Sequence, residues 1–478
     1  MNNSNVIAII DNGINQLFIK RKLKDSIVIT ENGDCISDSK QVEQYQFPHG
    51  TNCAMILEKY CEDCKLVSIR ILDENGKGAV KSLYPALKWC FKKCIRVINL
   101  SLGSVDFRDC EKLRCLINKY AANGMFIVAA TANTGFESYP ASFTNVIGVA
   151  TIGCTRGYLK DYMQMGIDTV ALSEHKVVTN GEEIKTPLSN SYATPYISAM
   201  IANKLKNDSS LRIADLKKFV MEHSCIEMQE GIYEPNWVFK AYISGRGIIS
   251  SAKYYFEIVN GKFEEIQEEI DTVIVFSLSD LKNINLGNSN LIYLGNGDKA
   301  NIEVQGFFWS WESRQQQILN NHYQGNGIEV PIVILGVDAV QDSFYILTEL
   351  KNMFANDGYN AYVIAMKPEC VLYTLEYMPE PLSGIEDWKR FVESQVFYKQ
   401  CDLIIWCISL EYKSEALKIF PECDVEISLC SNEDNTLVKY SFENENIEEI
   451  IPGLINKKSI EKMYTVIEAK LTEDKDGE

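Results

Sequence analysis

Val6-Ile7-Ala8-Ile9-Ile10-Asp11-Asn12-Gly13 opens the 478-residue chain and decides its architecture. A short, unbroken apolar run that stops at an Asx-Gly turn suits a strand buried on both faces, because a half-exposed strand would alternate polar and apolar residues. Similar runs follow at Leu66 to Leu72, Arg96 to Leu100, Met125 to Ala130 and Asn145 to Thr151. Helical stretches, among them Lys81 to Lys93 and Asp109 to Asn123, lie between them. Strands alternating with helices predict an α/β fold, a parallel sheet covered by helices. Ser191 to Leu205 reads as a buried helix rich in small residues, and Ile213 to Glu222 as an amphipathic helix closing a first domain over residues 1–225.

Beyond that domain the pattern weakens. Residues 226–330, dense in aromatics such as Phe307-Phe308-Trp309, read as a connecting region with some strands. A second, C-terminal α/β domain is predicted over 331–478. Its strands are Ile332 to Leu335, Ala361 to Met366 and Leu403 to Ile408; its helices are Ser343 to Asn356, Trp388 to Tyr398 and Ser459 to Lys470. The tail Thr472 to Glu478 is charged and expected to fray.

A formal net charge of −18 argues against nucleic acid and anionic membranes as partners, since both would be repelled. Met1 to Asn5 lacks a basic start, and no apolar run reaches the roughly 18–20 residues that span a bilayer, so a cytoplasmic location is expected. The 15 cysteines are odd in number and spread through apolar stretches, which reads as reduced structural thiols.

Three segments carry chemistry: Ala8 to Gly13, Pro48-His49-Gly50-Thr51-Asn52-Cys53-Ala54, and Ser189-Asn190-Ser191-Tyr192-Ala193-Thr194-Pro195. A serine hydroxyl is a poor nucleophile unless a base lies within hydrogen-bond reach, and imidazole suits that task near neutral pH. Asp11, His49 and Ser191 are therefore the candidate catalytic residues: Ser191 attacks, His49 moves the proton, and Asp11 fixes the His49 tautomer and stabilises the imidazolium. Ser191 opens a helix, so its N–H faces developing negative charge.

The order Asp, His, Ser and the segments around each residue resemble the subtilisin family over roughly the first 220 residues. The resemblance implies a subtilisin-like sheet and a serine endopeptidase. It makes Asn133, in Ala129-Ala130-Thr131-Ala132-Asn133, the second oxyanion donor. It also implies substrate binding by Ser101, Leu102, Gly103 and Ala130 around the S1 pocket, with Phe136, Glu137 and Ser138 near its base and Glu137 favouring a basic side chain there. Gly78 would lie on an edge that pairs with the peptide backbone. The sequence departs from the family at Ser189, where the family has glycine two residues before the nucleophile, and at Asn190, Asn52 and Met55. With Asp11 so near Met1 no folded propeptide is expected before it, and Tyr60 to Lys65 is too short for the family's calcium loop, so an intracellular type is expected.

Two weaker signals remain. Cys61 with Cys64, and Cys90 with Cys94, have spacings seen in metal sites, but core thiols are the simpler reading, and no metal and no cofactor are expected. Leu335-Gly336-Val337-Asp338-Ala339-Val340-Gln341-Asp342-Ser343 stands where a P-loop fold cradles phosphate, but Gln341 and Asp342 replace the glycine and lysine that binding needs. The domain reads as P-loop-like without nucleotide. The expected partner is a peptide or protein substrate. A narrow-specificity enzyme trimming the leader of a ribosomally made precursor peptide is one reading, with the C-terminal domain recognising that precursor. An inactive subtilase that only binds peptides is the other.

Overall fold

The computed structural model describes residues 5–38, 48–153, 166–179, 181–228, 232–245, 250–282, 284–295, 302–325, 327–379, 385–420, 423–442 and 445–473. Residues 1–4 and the tail residues 474–478, on which expectations were placed above, lie outside them. The chain divides into two compact units, Met1–Phe239 and Lys240–Glu478.

The first unit is built on an eight-stranded sheet. Its strands are β1 (Val6–Asp11), β2 (Asp25–Ile29), β3 (Cys35–Ser37), β4 (Lys65–Arg70), β5 (Val97–Leu100), β6 (Phe126–Ala130), β7 (Val146–Thr151) and β8 (Thr169–Ala171). The order is β3-β2-β4-β1-β5-β6-β7-β8, parallel throughout except for the β2–β3 pair. Helices α1 (His49–Tyr60), α2 (Leu83–Lys92), α3 (Cys110–Ala121), α4 (Asn190–Asn207) and α5 (Ile213–Glu222) cover it. Successive side chains of a strand point to opposite faces. Ile7 and Ile9 accordingly pack with Ile56 and Leu57 of α1 and Ala193, Ile197 and Ile201 of α4. Val6, Ala8 and Ile10 pack with Leu83 and Leu87 of α2 and Leu113 and Ile117 of α3 on the other side. The apolar run of β1 is continuous because both of its faces are core. Each fully buried Val or Ile there contributes about 1.5–3 kcal/mol relative to exposure.

The expected strands and helices of this unit fall within a few residues of those observed. What the sequence did not signal is short: β2, β3, β8 and the hairpin Lys176–Thr179 with Glu182–Lys185.

The second unit is α/β as well. Residues 226–330, expected as a connecting region with some strands, contain a five-stranded parallel sheet made of Lys240–Ser244, Glu257–Ile258, Thr272–Val275, Asn290–Tyr293 and Phe308–Ser310. Strands of two to five residues are too brief for periodicity to announce them. A seven-stranded sheet follows. Glu376–Tyr377, Ala361–Ala365, Leu403–Ser409, Ile332–Val337 and Val425–Ser431 run parallel, and Asn435–Ser441 and Asn446–Pro452 are added antiparallel. The loop Asp338–Asp342 after Ile332–Val337 is closed by its own bonds. Asp338 accepts from Val340 N, Gln341 N and Ser431 N. Gln341, buried, donates to Ser431 Oγ (2.7 Å) and Thr436 Oγ1 (2.8 Å) and accepts from Ile455 N. Asp342 caps the helix Ser343–Asn356 through Tyr345 N and accepts from Ser250 Oγ and Ser251 N.

Candidate active site

Asp11 is the last residue of β1, at the carboxyl edge of the sheet, and is 1% exposed. The chain turns at once through Gly13, whose φ of +103° is the left-handed region that favours glycine. Asn12 Oδ1 accepts from Gly50 N at 3.1 Å, and Thr51 Oγ1 accepts from Asn15 N at 2.9 Å, so the turn is tied to the start of α1. At Gly50 a Cβ would lie 2.5 Å from the Gly13 carbonyl oxygen and 3.2 Å from Asp11 Cβ. Only glycine lets α1 approach closely enough to bring His49 over Asp11.

The three candidate catalytic side chains form one line. His49 Nδ1 lies 2.9 Å from Asp11 Oδ2, and His49 Nε2 lies 3.0 Å from Ser191 Oγ. The Asp11 carboxylate can only accept, so in the neutral ring it holds the proton on Nδ1 and leaves Nε2 as the acceptor for the Ser191 hydroxyl. Asn12 N donates to Asp11 Oδ1 at 2.8 Å and fixes the carboxylate's other oxygen. Burial works against a charged His49 ring, while the Cys53 sulfur and the Asp11 carboxylate work for it. The balance raises its pKa above the ordinary imidazole range. The Tyr192 ring lies 4.8 Å from the imidazole, centroid to centroid.

Ser191 is the second residue of α4, after the cap residue Ser189. Pro195 lies four residues on and has no N–H, so the Ser191 carbonyl lacks its usual helical donor. Ser101 Oγ supplies one at 2.8 Å, and Asn99 Nδ2 supports Ser101 at 3.1 Å. Ser101, expected to bind substrate, therefore has its hydroxyl turned to the Ser191 carbonyl, where it holds the first turn of α4. Cys53 Sγ lies 3.9 Å from His49 Nδ1 and 3.4 Å from Ser101 Oγ.

Asn133 stands on the loop after β6, exposed. Its Oδ1 accepts from Asn190 N at 3.1 Å, which turns its Nδ2 toward Ser189 Oγ at 3.4 Å. The buried Asn190 side chain faces the other way, accepting from Thr151 N and donating to Thr131 O. Ala130 ends β6 and is buried; Leu102 is half-buried and Gly103 exposed. Ser104 and Tyr139 exchange backbone bonds of 2.8 and 2.7 Å beside them. Ser138 is buried and accepts from Ala132 N, and Glu137 accepts from Tyr139 Oη at 3.4 Å. Gly78 lies in the exposed loop after β4, not in a strand. Among the described residues, Asp11, His49 and Cys53 form the one group of three potential metal ligands. Cys61, Cys64 and Cys90 are buried free thiols and Cys94 is an exposed one. Sequence reasoning missed the Cys53 and Tyr192 contacts with His49. Their positions i+4 from His49 and i+1 from Ser191 were the available signal.

A parallel sheet covered on both faces, with Asp11 at a strand end, His49 at one helix start and Ser191 at another, is a subtilisin-like α/β fold. Residues 2–230 match the model of the Subtilase family, and the N-terminal part of the chain carries a domain of that family. It is 25% identical over 211 residues to the minor extracellular protease Epr of Bacillus subtilis (strain 168), covering 41% of this chain and 31% of Epr. It is 30% identical over 151 residues to subtilisin BL of Lederbergia lenta, covering 30% of this chain and 55% of that protein. The chain thus spans between about a third and just over half of the length of these relatives. The solved structure of sphericase aligns with 46% of this chain and 83% of its own at a TM-score of 0.38 and 21% identity.

Proposed function

We propose that the chain is a serine endopeptidase in which Ser191 is the nucleophile, His49 the general base and acid, and Asp11 the group that holds His49. The observation that carries this reading is the Asp11–His49–Ser191 line, 2.9 and 3.0 Å at its two joints. Ser191 Oγ bonds to the scissile carbonyl carbon while its proton passes to His49 Nε2. The carbonyl oxygen takes the electron pair and is stabilised by Ser191 N–H and Asn133 Nδ2. The C–N bond then breaks, and His49 returns the proton to the leaving amine. Water repeats the sequence on the acyl-enzyme, with His49 taking its proton, and frees the carboxylic acid and Ser191. The leading substrate contacts in this reading are Leu102, Gly103, Ala130 and Gly78, with Glu137 favouring a basic side chain in the S1 pocket.

A fluorophosphonate probe tests the reading on the purified full chain. Ser191 Oγ should bond to phosphorus with loss of fluoride, and mass spectrometry should place the adduct on Ser191. An unlabelled, folded protein that still binds peptides would leave the peptide-binding reading in its place.

We further propose that the enzyme acts on few substrates, trimming the leader of a ribosomally made precursor peptide in the cytoplasm, with residues of the second unit holding the precursor. Support comes from the second unit's phosphate-loop position, where Gln341 and Asp342 are spent on bonds within the fold. Tethering there raises the local concentration of a weakly binding cleavage site. A free leader peptide should then inhibit precursor cleavage while leaving hydrolysis of a short chromogenic peptide unchanged. Equal inhibition of both sinks the tethering proposal. Strong preference for an acidic P1 side chain sinks the role of Glu137.

A further inference from the structure

Ser189 has a side chain that touches the proposed nucleophile and yet has no role in the proposed chemistry. Its hydroxyl lies 2.8 Å from Ser191 Oγ, 3.4 Å from Ser191 N and 3.4 Å from Asn133 Nδ2. The proposed oxyanion hole consists of those last two donors. One oxygen atom thus touches both donors and the nucleophile, and it sits where the negatively charged oxygen of the tetrahedral intermediate would lie. Family members resembling this domain have glycine at this position and bring no such atom.

With His49 neutral, the state in which it can act as a base, the protons can be assigned. His49 Nδ1–H faces Asp11, so Nε2 accepts and the Ser191 hydroxyl donates to it. That spends the Ser191 proton. The 2.8 Å contact must then have Ser189 Oγ–H donating to Ser191 Oγ, while Ser189 Oγ accepts from Ser191 N–H and from Asn133 Nδ2. The hydroxyl's bonding capacity is filled by the groups that a substrate carbonyl needs. The bond to Ser191 Oγ also occupies a lone pair of the attacking atom. At 3.4 Å the two accepted bonds are long and weak, so a turn about Ser189 χ1 frees the hole at modest cost.

We infer that the Ser189 hydroxyl plugs the oxyanion hole of the resting site and must swing out before a substrate carbonyl can enter. The inference rests on the proposed roles of Ser191 and Asn133. It makes the domain self-restrained: a substrate held well elsewhere displaces the plug, whereas a short, loosely held peptide pays the displacement at every encounter. Ser189 is also the cap residue of α4, and a purely structural cap would leave the hole's reactivity alone.

The test compares second-order rate constants for fluorophosphonate labelling of Ser191 in full-length wild type, Ser189→Gly, Ser189→Ala and Ser189→Thr, with thermal melting alongside. The phosphoryl oxygen must enter the hole for the serine to be phosphorylated. Ser189→Gly and Ser189→Ala should each react about tenfold faster, the scale of one displaced hydrogen bond. Ser189→Thr keeps the hydroxyl and should stay at the wild-type rate. In an Asn133→Ala background, where the plug has lost one of its donors, the gain from Ser189→Gly should shrink. Equal or slower labelling of both folded Gly and Ala variants overturns the plug while leaving the protease reading intact. Labelling of Ser191 in none of the proteins overturns both.

Discussion

Two buried parallel strands, Val6–Asp11 and Ile332–Val337, each end in a loop rich in acidic and amide side chains, and the two loops use them in opposite ways. After Val6–Asp11, the Asp11 carboxylate is turned toward a side chain from another element, and the line ends on a half-buried serine hydroxyl. After Ile332–Val337, Asp338, Gln341 and Asp342 bond the loop's own backbone, a neighbouring hairpin and residues 250–251. Both loops are well satisfied. The difference is what stands at the end of the hydrogen-bond chain: the hydroxyl of the proposed nucleophile in one, closed structure in the other. A polar strand-end loop is thus a site only when its bonds lead to an atom that substrate can reach.

The sharpest way to break that contrast is Ser191→Ala. It removes only the hydroxyl and should lower peptide hydrolysis by about 10⁶-fold without moving the melting temperature, as read by turnover and calorimetry. Undiminished turnover would end the assignment. Asp11→Asn should cost about 10⁴-fold in kcat, because an amide can present the wrong atom to Nδ1 and stabilise the wrong tautomer. The pH profile sharpens the same point. His49 acts only when neutral, so the rate should rise with pH as the ring loses its proton, and its raised pKa places this acid limb above the ordinary value of about 6.5. In Asp11→Asn the limb should move down. A wild-type limb below the ordinary imidazole range contradicts the geometry.

Smaller effects separate the oxyanion hole from the closed loop. Asn133→Ala should lower kcat by about 10²–10³-fold with KM little changed, as steady-state kinetics on a chromogenic peptide would show. Gln341→Ala should do the reverse of all these. It strands Ser431, Thr436 and Ile455 N and should cost about 1–3 kcal/mol of stability by denaturant titration, with hydrolysis of a short peptide unaltered. ATP should change neither its melting temperature nor its rate.

The first unit was readable because its strands lie between two cores. Val6 to Ile10 and Met125 to Ala130 are unbroken apolar runs, and α2 and α5 carry clear apolar faces, so local pattern and burial agree. Residues 240–310 were expected to hold some strands, but the five-stranded sheet they form was not readable. Its strands are too short to show a period, and aromatics such as Phe307, just before a strand, and Trp309, within it, are buried in a way that the local pattern does not define. Asn435–Ser441 and Asn446–Pro452 went unseen for a related reason: they are the outer, antiparallel strands of their sheet, and residues such as Lys439, Glu448 and Ile450 face outward.

By itself the sequence determined which residue types could meet: a carboxylate at a strand end, an imidazole and a hydroxyl at two helix starts, each with the small or turn-forming neighbours that such places need. Those are local matters of sterics and periodicity. Tertiary structure alone decided the rest. The separations of 38 positions from Asp11 to His49 and 142 from His49 to Ser191 carry no record of distance. Only the docking of α1 and α4 on one face of the sheet brings the groups to about 3 Å. The inward turn of Ser101, the Cys53 sulfur near His49 and the Ser189 hydroxyl beside Ser191 depend on side-chain directions within that packing. A rotation about one χ1 angle separates contact from absence, and no pattern in the chain encodes it.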